Sequence, residues 1–528
     1  MKLKNQNLLT LLMLAFLLAS CGKRTETKAV LIESGVQAFY TYSVALEAVD
    51  TNYLAPALQS YAHAKIGNDW LLFAGRTNEN ENLGGLHNLN TNDYSLKSFP
   101  AKSFNSFIYA FNPETGTKAF LDFWTLLGTI QTMAKGENGE SEVVKATCLK
   151  VANLLEEYGT VFICTNPQAV QSGEYLYVVG GYGPPAGQKA TAKNYTTSDA
   201  IAKINVPLLM RLVNNDWNLS ALEWTDLFKF GNNSTLKATG GELKVIDKQF
   251  YLAAGHDFGP GQVYLNAVYE FGFSANVSTL ELTATVTDTI SDMSSSVLRD
   301  NPKLADSTSI FRRRDLPIVP AVYLDKNNAI ASNFALMAGV FKYGEKVYAA
   351  WNDAIYITPN GTTKFTVDAK HNQNNSNVYS CPDFVIYDTQ SQDLHTFLPG
   401  GIGNGKLDKF LSGFSNTLGY SKYNVSTKVS AFDTISNIFP STKFYGAEAA
   451  FMPNSNAKYL TINNMETDVI DGDSTFSGTE PVHIGYIYGG IESYEESPST
   501  YGSGKSGASN KLWKVMVSRF QIADEKLE

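Results

Sequence analysis

Cysteine is scarce: four occur in 528 residues, with no CxxC pair and no His/Cys cluster, so no zinc pattern is present. Charge is thin as well, at 18% of residues against roughly 25% in a typical soluble domain. The formal net charge is −9, and the Arg312–Arg314 triplet is too small a basic cluster to offset it. Nucleic acid is held by clustered Lys and Arg, so it is excluded as a partner. No apolar run reaches the roughly twenty residues a membrane-spanning helix needs. No GxSxG elbow, HExxH pair, P-loop or dinucleotide fingerprint stands in a fitting context. No catalytic residue, metal or cofactor is therefore assigned.

Aromatic residues and an export signal are what the chain does have. Tyr and Phe number 28 and 30. MKLKNQNLLTLLMLAFLLASC starts with Lys2 and Lys4, runs apolar from Leu8 to Leu18, and ends on small residues, as a secretory signal does. Leu18, Ala19 and Ser20 before Cys21 resemble the lipobox of bacterial lipoproteins. That resemblance implies cleavage after residue 20 and acylation of Cys21, and more than one acyl chain anchors stably. Residues 21–34, with GKRTETKAV, are polar and aperiodic, a tether. The expected address is the cell envelope, lipid-anchored at the outer membrane, with the side left open. Export also permits a disulfide between Cys148 and Cys164; separate buried thiols are the alternative.

One strand pattern recurs from there on. WLLFAGR, YLYVVGGYG, FYLAAGHDFG, FALMAGVF, LHTFLPGGIG and IGYIYGGI each run apolar and break on glycine. The breaks are Gly75, Gly180–Gly181, Gly255, Gly339, Gly400–Gly401 and Gly489–Gly490. An apolar segment precedes each strand (YAHAKIG, NPQAVQSG, GGELKVID, IVPAVYLD, DFVIYDTQ, GAEAAFMPN). An alternating one follows, such as SFIYAFNPETG or KLWKVMVSRF, with STKVSAFDTI taken as the third strand of the fifth unit. Four antiparallel strands per unit, repeated about an axis, make a β-propeller. The fold class is thus all-β, a single propeller over residues 35–528 with six blades, seven being the alternative. Residues 35–46 should seal the last blade, and residues 122–158 should form a helical insertion, with Val144, Cys148, Val151 and Leu155 at helical spacing. Residues 490–510 read as a surface loop.

The glycine breaks resemble those of the kelch-repeat family, and the chain is similar, over roughly residues 60–520, to kelch-type lipoproteins of Bacteroidota. The resemblance implies a propeller of the galactose-oxidase type. That family also contains a copper oxidase and sugar mutarotases; the copper ligands find no convincing match here.

In a blade the loops leaving the second strand and those entering the first open on one face. Polar residues at those places converge around a channel mouth: Arg76 and His87, then His256 and Asp257, then Glu492 after second strands; Gln168, Glu242, Arg314, Asp315 and Glu448 at first strands. These form the candidate binding face. Arg76 could pair with Glu448 or Glu242, and His256 beside Asp257 could make an oriented base. The expected function is a lipid-anchored envelope protein whose mouth binds a partner protein or glycan without catalysis. The alternative is a sugar-active enzyme, mutarotase or lyase, on the same face.

Overall fold

The computed structural model describes residues 39–49, 55–78, 99, 101–137, 139–185, 191, 194–259, 261–344, 349–403, 413–435, 437–496 and 506–522. The expected signal, Cys21, the tether, His87 and residues 497–505 of the expected loop lie outside them.

Six four-stranded antiparallel blades succeed one another along the chain. Their innermost strands are Ala62–Ile66, Gln168–Ser172, Glu242–Ile246, Ile318–Leu324, Phe384–Asp388 and Ala450–Pro453. Second, third and fourth strands follow outward, each antiparallel to the one before. The sixth blade borrows its outermost strand from the other end of the chain. Phe39–Ala48 pairs with Leu512–Ile522, from Phe39 opposite Ile522 to Ala48 opposite Trp513. The ring thus closes through ordinary ladder hydrogen bonds, as the alternation in residues 35–46 implies.

The glycine breaks share one backbone device. Each second strand ends on two consecutive left-handed residues: Ala74–Gly75, Gly180–Gly181, Ala254–Gly255, Ala338–Gly339, Gly400–Gly401 and Gly489–Gly490. The three glycines that stand alone in the sequence each follow an alanine with φ of 54° to 57°. Two such residues kink the strand before it pairs again, as at Gln59 with Arg76 and Thr239 with His256. At five of the six breaks the N–H of the pair's second residue then reaches the next blade. Gly75 donates to the Cys164 carbonyl at 2.8 Å, Gly181 to Ala238 at 2.9 Å and Gly490 to Leu58 at 2.8 Å. The pinch is therefore also a stitch between blades.

Between blades the contacts are apolar. Trp70, Phe111, Tyr486 and Tyr488 close the seam of blades six and one. Helices Phe123–Lys135 and Glu142–Tyr158 fill the wedge of blades one and two. Cys148, Val151 and Leu155 face this core, and Val144 packs at its edge. Gly159 ends the second helix with an ordinary φ of −62°. Its lack of a side chain matters for a different reason: a Cβ there would run into the Phe123 ring. Cys148, Cys164 and Cys381 are three separate buried thiols, so the Cys148–Cys164 disulfide does not form.

Three features depart from the sequence reading. The third strand of blade five is Leu418–Asn424, and STKVSAFDTI supplies the fourth, Val429–Ile435. The inward positions of Leu418–Asn424 include Gly419 and Ser421, because the loop around His371 and Asn377 packs on them and leaves no room for large apolar groups. Helices Val206–Val213 and Ala221–Leu227 interrupt blade two. Their caps were in view: Asn205 accepts from the Leu208 N–H, and Ser220 with Glu223 forms a capping box. Finally, a hairpin, Tyr459–Ile462 with Met465–Asp471, leaves the lower end of blade six. It pairs in parallel with the inner edge of blade five at Ile386 and Tyr387. Its turn, Asn463–Asn464, has both φ values positive, which asparagine tolerates well.

Candidate functional site

On the glycine face one residue per blade rims the axis: Ser60, Asn166, Gly240, Asp315, Ser380 and Glu448. Five of them, all but Ser380, have positive φ, which tips the chain over the rim into the first strand. Backbone bonds link neighbours around the circle. Asn166 donates to the Ser60 carbonyl at 3.0 Å, Asp315 to Gly240 at 2.7 Å, Ser380 to Asp315 and Glu448 to Ser380 at 2.9 Å. Because the main chain itself makes the rim, the side chains on it are held by a rigid scaffold rather than by mobile loops.

Below the rim lies a cavity of about 370 Å³. Successive side chains of a strand point to opposite faces, so residues two apart on an innermost strand share the channel side. His63 and Lys65 come from blade one, and Glu242 and Lys244 from blade three. Gln168, Asp383 and, from the hairpin, Asp468 complete the polar wall. A second cavity of about 290 Å³ opens at the lower end and shares Gln171, Lys244, Pro320 and Asp468 with the first.

Burial dominates the electrostatics here. It pushes the Asp383 carboxyl up to about 7 against the opposing charge of Lys244, with Glu242 and Asp468 adding to the rise. Glu242 rises for the same reason although it pairs with Lys244. Burial works against the Lys244 ammonium, yet Glu242, Asp383 and Asp468 together hold it above its ordinary value. Burial and then the Lys244 charge push the His63 imidazole down to about 4, so it is neutral at physiological pH. Burial also raises Glu448, which accepts from Ser60 and, at 2.8 Å, from the Tyr379 hydroxyl. Asp315 rises through burial, opposed by Arg314 with its Nε at 3.5 Å.

No protein-family model matches the chain, and no curated protein matches it.

The cavity gathers Gln168, Glu242, Asp315 and Glu448 of the residues read from the sequence. Of the others, His87 lies outside the described residues, and Arg76, His256, Asp257, Arg314 and Glu492 stand in a crown outside the cavity. Arg76 is buried, bonded through Nε to Ser103 at 3.2 Å and stacked on Phe99. Glu448 and Glu242 take the partners named above. His256 meets the Arg314 guanidinium at 3.0 Å, while Asp257 turns away to Lys237 at 3.1 Å. Adjacent strand residues point oppositely, so the imidazole and carboxylate make no pair. Burial, then Arg314 and Arg312, keep His256 well below its usual range. Glu492 binds Lys443 at 3.0 Å. The sequence reading missed His63, Lys65, Lys244, Asp383 and Asp468. Polar residues at period two inside otherwise apolar first strands, as in AHAKI and ELKVI, are the signal that would have found the first three.

Asp383 also makes a stability prediction. Its folded value lies above the usual carboxylate value of about 4. The folded state therefore binds the extra proton, and this contribution to stability is complete below about pH 4 and lost as pH rises through 7. Asp383→Asn should match the wild type in denaturant unfolding near pH 4 and exceed it at pH 8. Equal pH profiles would refute the assignment.

Proposed function

We propose that the chain is a lipid-anchored envelope protein of the kelch type whose channel mouth binds a glycan or a partner protein without catalysis. The observation that carries this reading is the polar cavity beneath a rim to which every blade contributes one residue. A recess of this depth suits a compact polar ligand, such as a sugar unit, better than a flat protein surface. The aromatic crown supports it: Arg76 lies over Phe99, Arg312 over Tyr264 and Lys443 over Tyr494, giving flat apolar faces beside donors. The closing strand supports the orientation. Phe39 enters at the end of the blade opposite the glycine face. A tether from Cys21, seventeen residues that can extend to at most about 60 Å, reaches that lower side first.

Retention on immobilised oligosaccharides tests the binding, and labelling with a fatty-acid analogue tests the anchor. The wild type should be retained and labelled. Asn166→Ala with Glu448→Gln should lose retention at least tenfold, and Cys21→Ser should lose the label. Retention unchanged in the double variant would overturn the mouth as the site.

One observation favours the sugar-active reading. A neutral imidazole, His63, and a carboxyl that titrates near 7, Asp383, share the same cavity as an acid–base pair would. Catalysed anomer exchange in an anomerically pure sugar, followed by NMR, would favour it.

A further inference from the structure

Acceptors outnumber donors inside the channel. Its wall carries the carboxyls of Glu242, Asp315, Asp383, Glu448 and Asp468 against the ammonium groups of Lys65 and Lys244. Three of the five carboxyls are satisfied internally: Glu242 by Lys244, Asp315 by Arg314, Glu448 by Ser60 and Tyr379. Lys65 gives its ammonium to the Pro453 carbonyl at 2.8 Å. Asp383, half-buried, and Asp468, exposed, make no side-chain hydrogen bond or ion pair among the described residues; Lys244 reaches both, and Lys65 reaches Asp468, only through their fields. A separate observation agrees. Gln168, only 2% exposed, lines the same cavity and spends its amide N–H on the Asn166 carbonyl at 2.6 Å. Its Oε1 is buried without any donor. A buried acceptor is normally satisfied, and the Gln168 oxygen is not.

What the cavity lacks is therefore a positively charged hydrogen-bond donor of small size. We infer that the channel takes a compact polar ligand carrying a protonated primary amine, its ammonium set between Asp383 and Asp468. An ammonium offers three donors and no acceptor, and the cavity wall holds three acceptors without donors, the Asp383 and Asp468 carboxylates and the Gln168 oxygen. A guanidinium or quaternary amine matches less well, the first by its planar fork and the second by having no N–H. The inference rests on the mouth being a binding site and narrows its ligand. Amino sugars and aliphatic polyamines share this chemistry.

The groups facing Asp383 are Lys244 and Glu242 from blade three, Asp468 and Tyr459 from the hairpin, and Cys381 on its own segment. With Asp383 titrating near 7, an ammonium must displace its proton, so binding should tighten about tenfold from pH 6 to pH 8. An aliphatic diamine stays protonated over that range.

The test is calorimetric titration of the full-length protein with four probes at pH 8: D-glucosamine, D-glucose, putrescine and 1,4-butanediol. At least one amine should bind tenfold or more tighter than its uncharged match. The putrescine affinity should fall about tenfold at pH 6. Asp383→Asn and, separately, Asp468→Asn should each weaken it at least tenfold, with Glu137→Gln, on an exposed helix end, unchanged; Asp468→Asn, on the hairpin, covers a folding defect in the first variant. Glucose binding as tightly as glucosamine, with putrescine no better than the diol, would overturn the inference while leaving a sugar site in place. Putrescine binding without glucosamine would support the ammonium and count against the glycan reading. Amines that bind no better than their matches, with no sugar bound, would overturn both.

Discussion

Gly75→Ala is expected to cost about 3 kcal/mol or more, whereas Ala74→Gly beside it should change stability by no more than about 1 kcal/mol. Both residues are left-handed, with φ of 57° and 78°. The difference lies in what surrounds them. A Cβ on Gly75 would sit 2.9 Å from the Tyr61 Cα and closer still to the Gln59 carbonyl oxygen. Both are backbone of the segment that enters the first strand, on either side of the rim residue Ser60, and cannot step aside without moving it. The Gly75 N–H would also lose its alignment with the Cys164 carbonyl, one of the bonds that stitch blade one to blade two. Ala74, by contrast, is already a fully buried methyl with its strain accommodated. The measurement is denaturant unfolding of the two variants side by side. Equal midpoints would mean the kink has slack and the interblade stitch contributes little.

The second large effect concerns ring closure. Asp388, fully buried at the end of the first strand of blade five, accepts from the Tyr42 hydroxyl at 2.7 Å. It also meets Arg519 at 3.3 Å and His395 at 3.1 Å. Tyr42 lies on the closing strand and Arg519 on the strand it pairs with. One carboxylate thus fastens both chain ends of blade six to blade five. The Tyr420 hydroxyl meets the other imidazole nitrogen of His395 at 2.7 Å. Burial and the Asp388 charge raise the Tyr42 phenol above its usual value, so it remains the donor.

Asp388→Ala leaves the buried Tyr42 hydroxyl without its acceptor and takes one of two carboxylates from Arg519, which keeps Asp473 at 2.8 Å, so it should cost about 3 kcal/mol. Tyr42→Phe should cost about 1–3 kcal/mol by taking one donor away. Because both changes remove the same contact, the double variant should lose less than the sum. Hydrogen exchange should report the loss at residues 39–48 first. Additive losses, or protection of that strand unchanged in Asp388→Ala, would show that the ladder alone holds the ring shut. The arrangement of Tyr, His and Asp looks catalytic on paper, yet Asp388 and His395 are sealed from solvent.

Legibility followed chemistry in a regular way. The inner and second strands were readable because they are apolar and end on glycine, and residues 35–46 because alternation survives at an outermost strand. The third strand of blade five was not, since Gly419 and Ser421 fill its inward positions for a neighbouring loop. The hairpin at 459–471 was missed because its register depends on an edge of blade five that lies about eighty residues away in the chain. Of the residues read from the sequence as a candidate face, Gln168, Glu242, Asp315 and Glu448 line the cavity. The reading did not reach Asp383 and Asp468, which line the same cavity but come from blade five and a distant hairpin, so only the assembled walls bring them together.

The amino-acid sequence on its own determined the repeat, the six left-handed kinks and the strand that seals the circle, because these are local: a missing Cβ, or an alternation of period two. Only the tertiary structure decided which polar side chains share one channel and which of them lack partners. That outcome depends on six inner strands converging on one axis and on a distant hairpin closing its lower end, and no window along the chain contains that geometry.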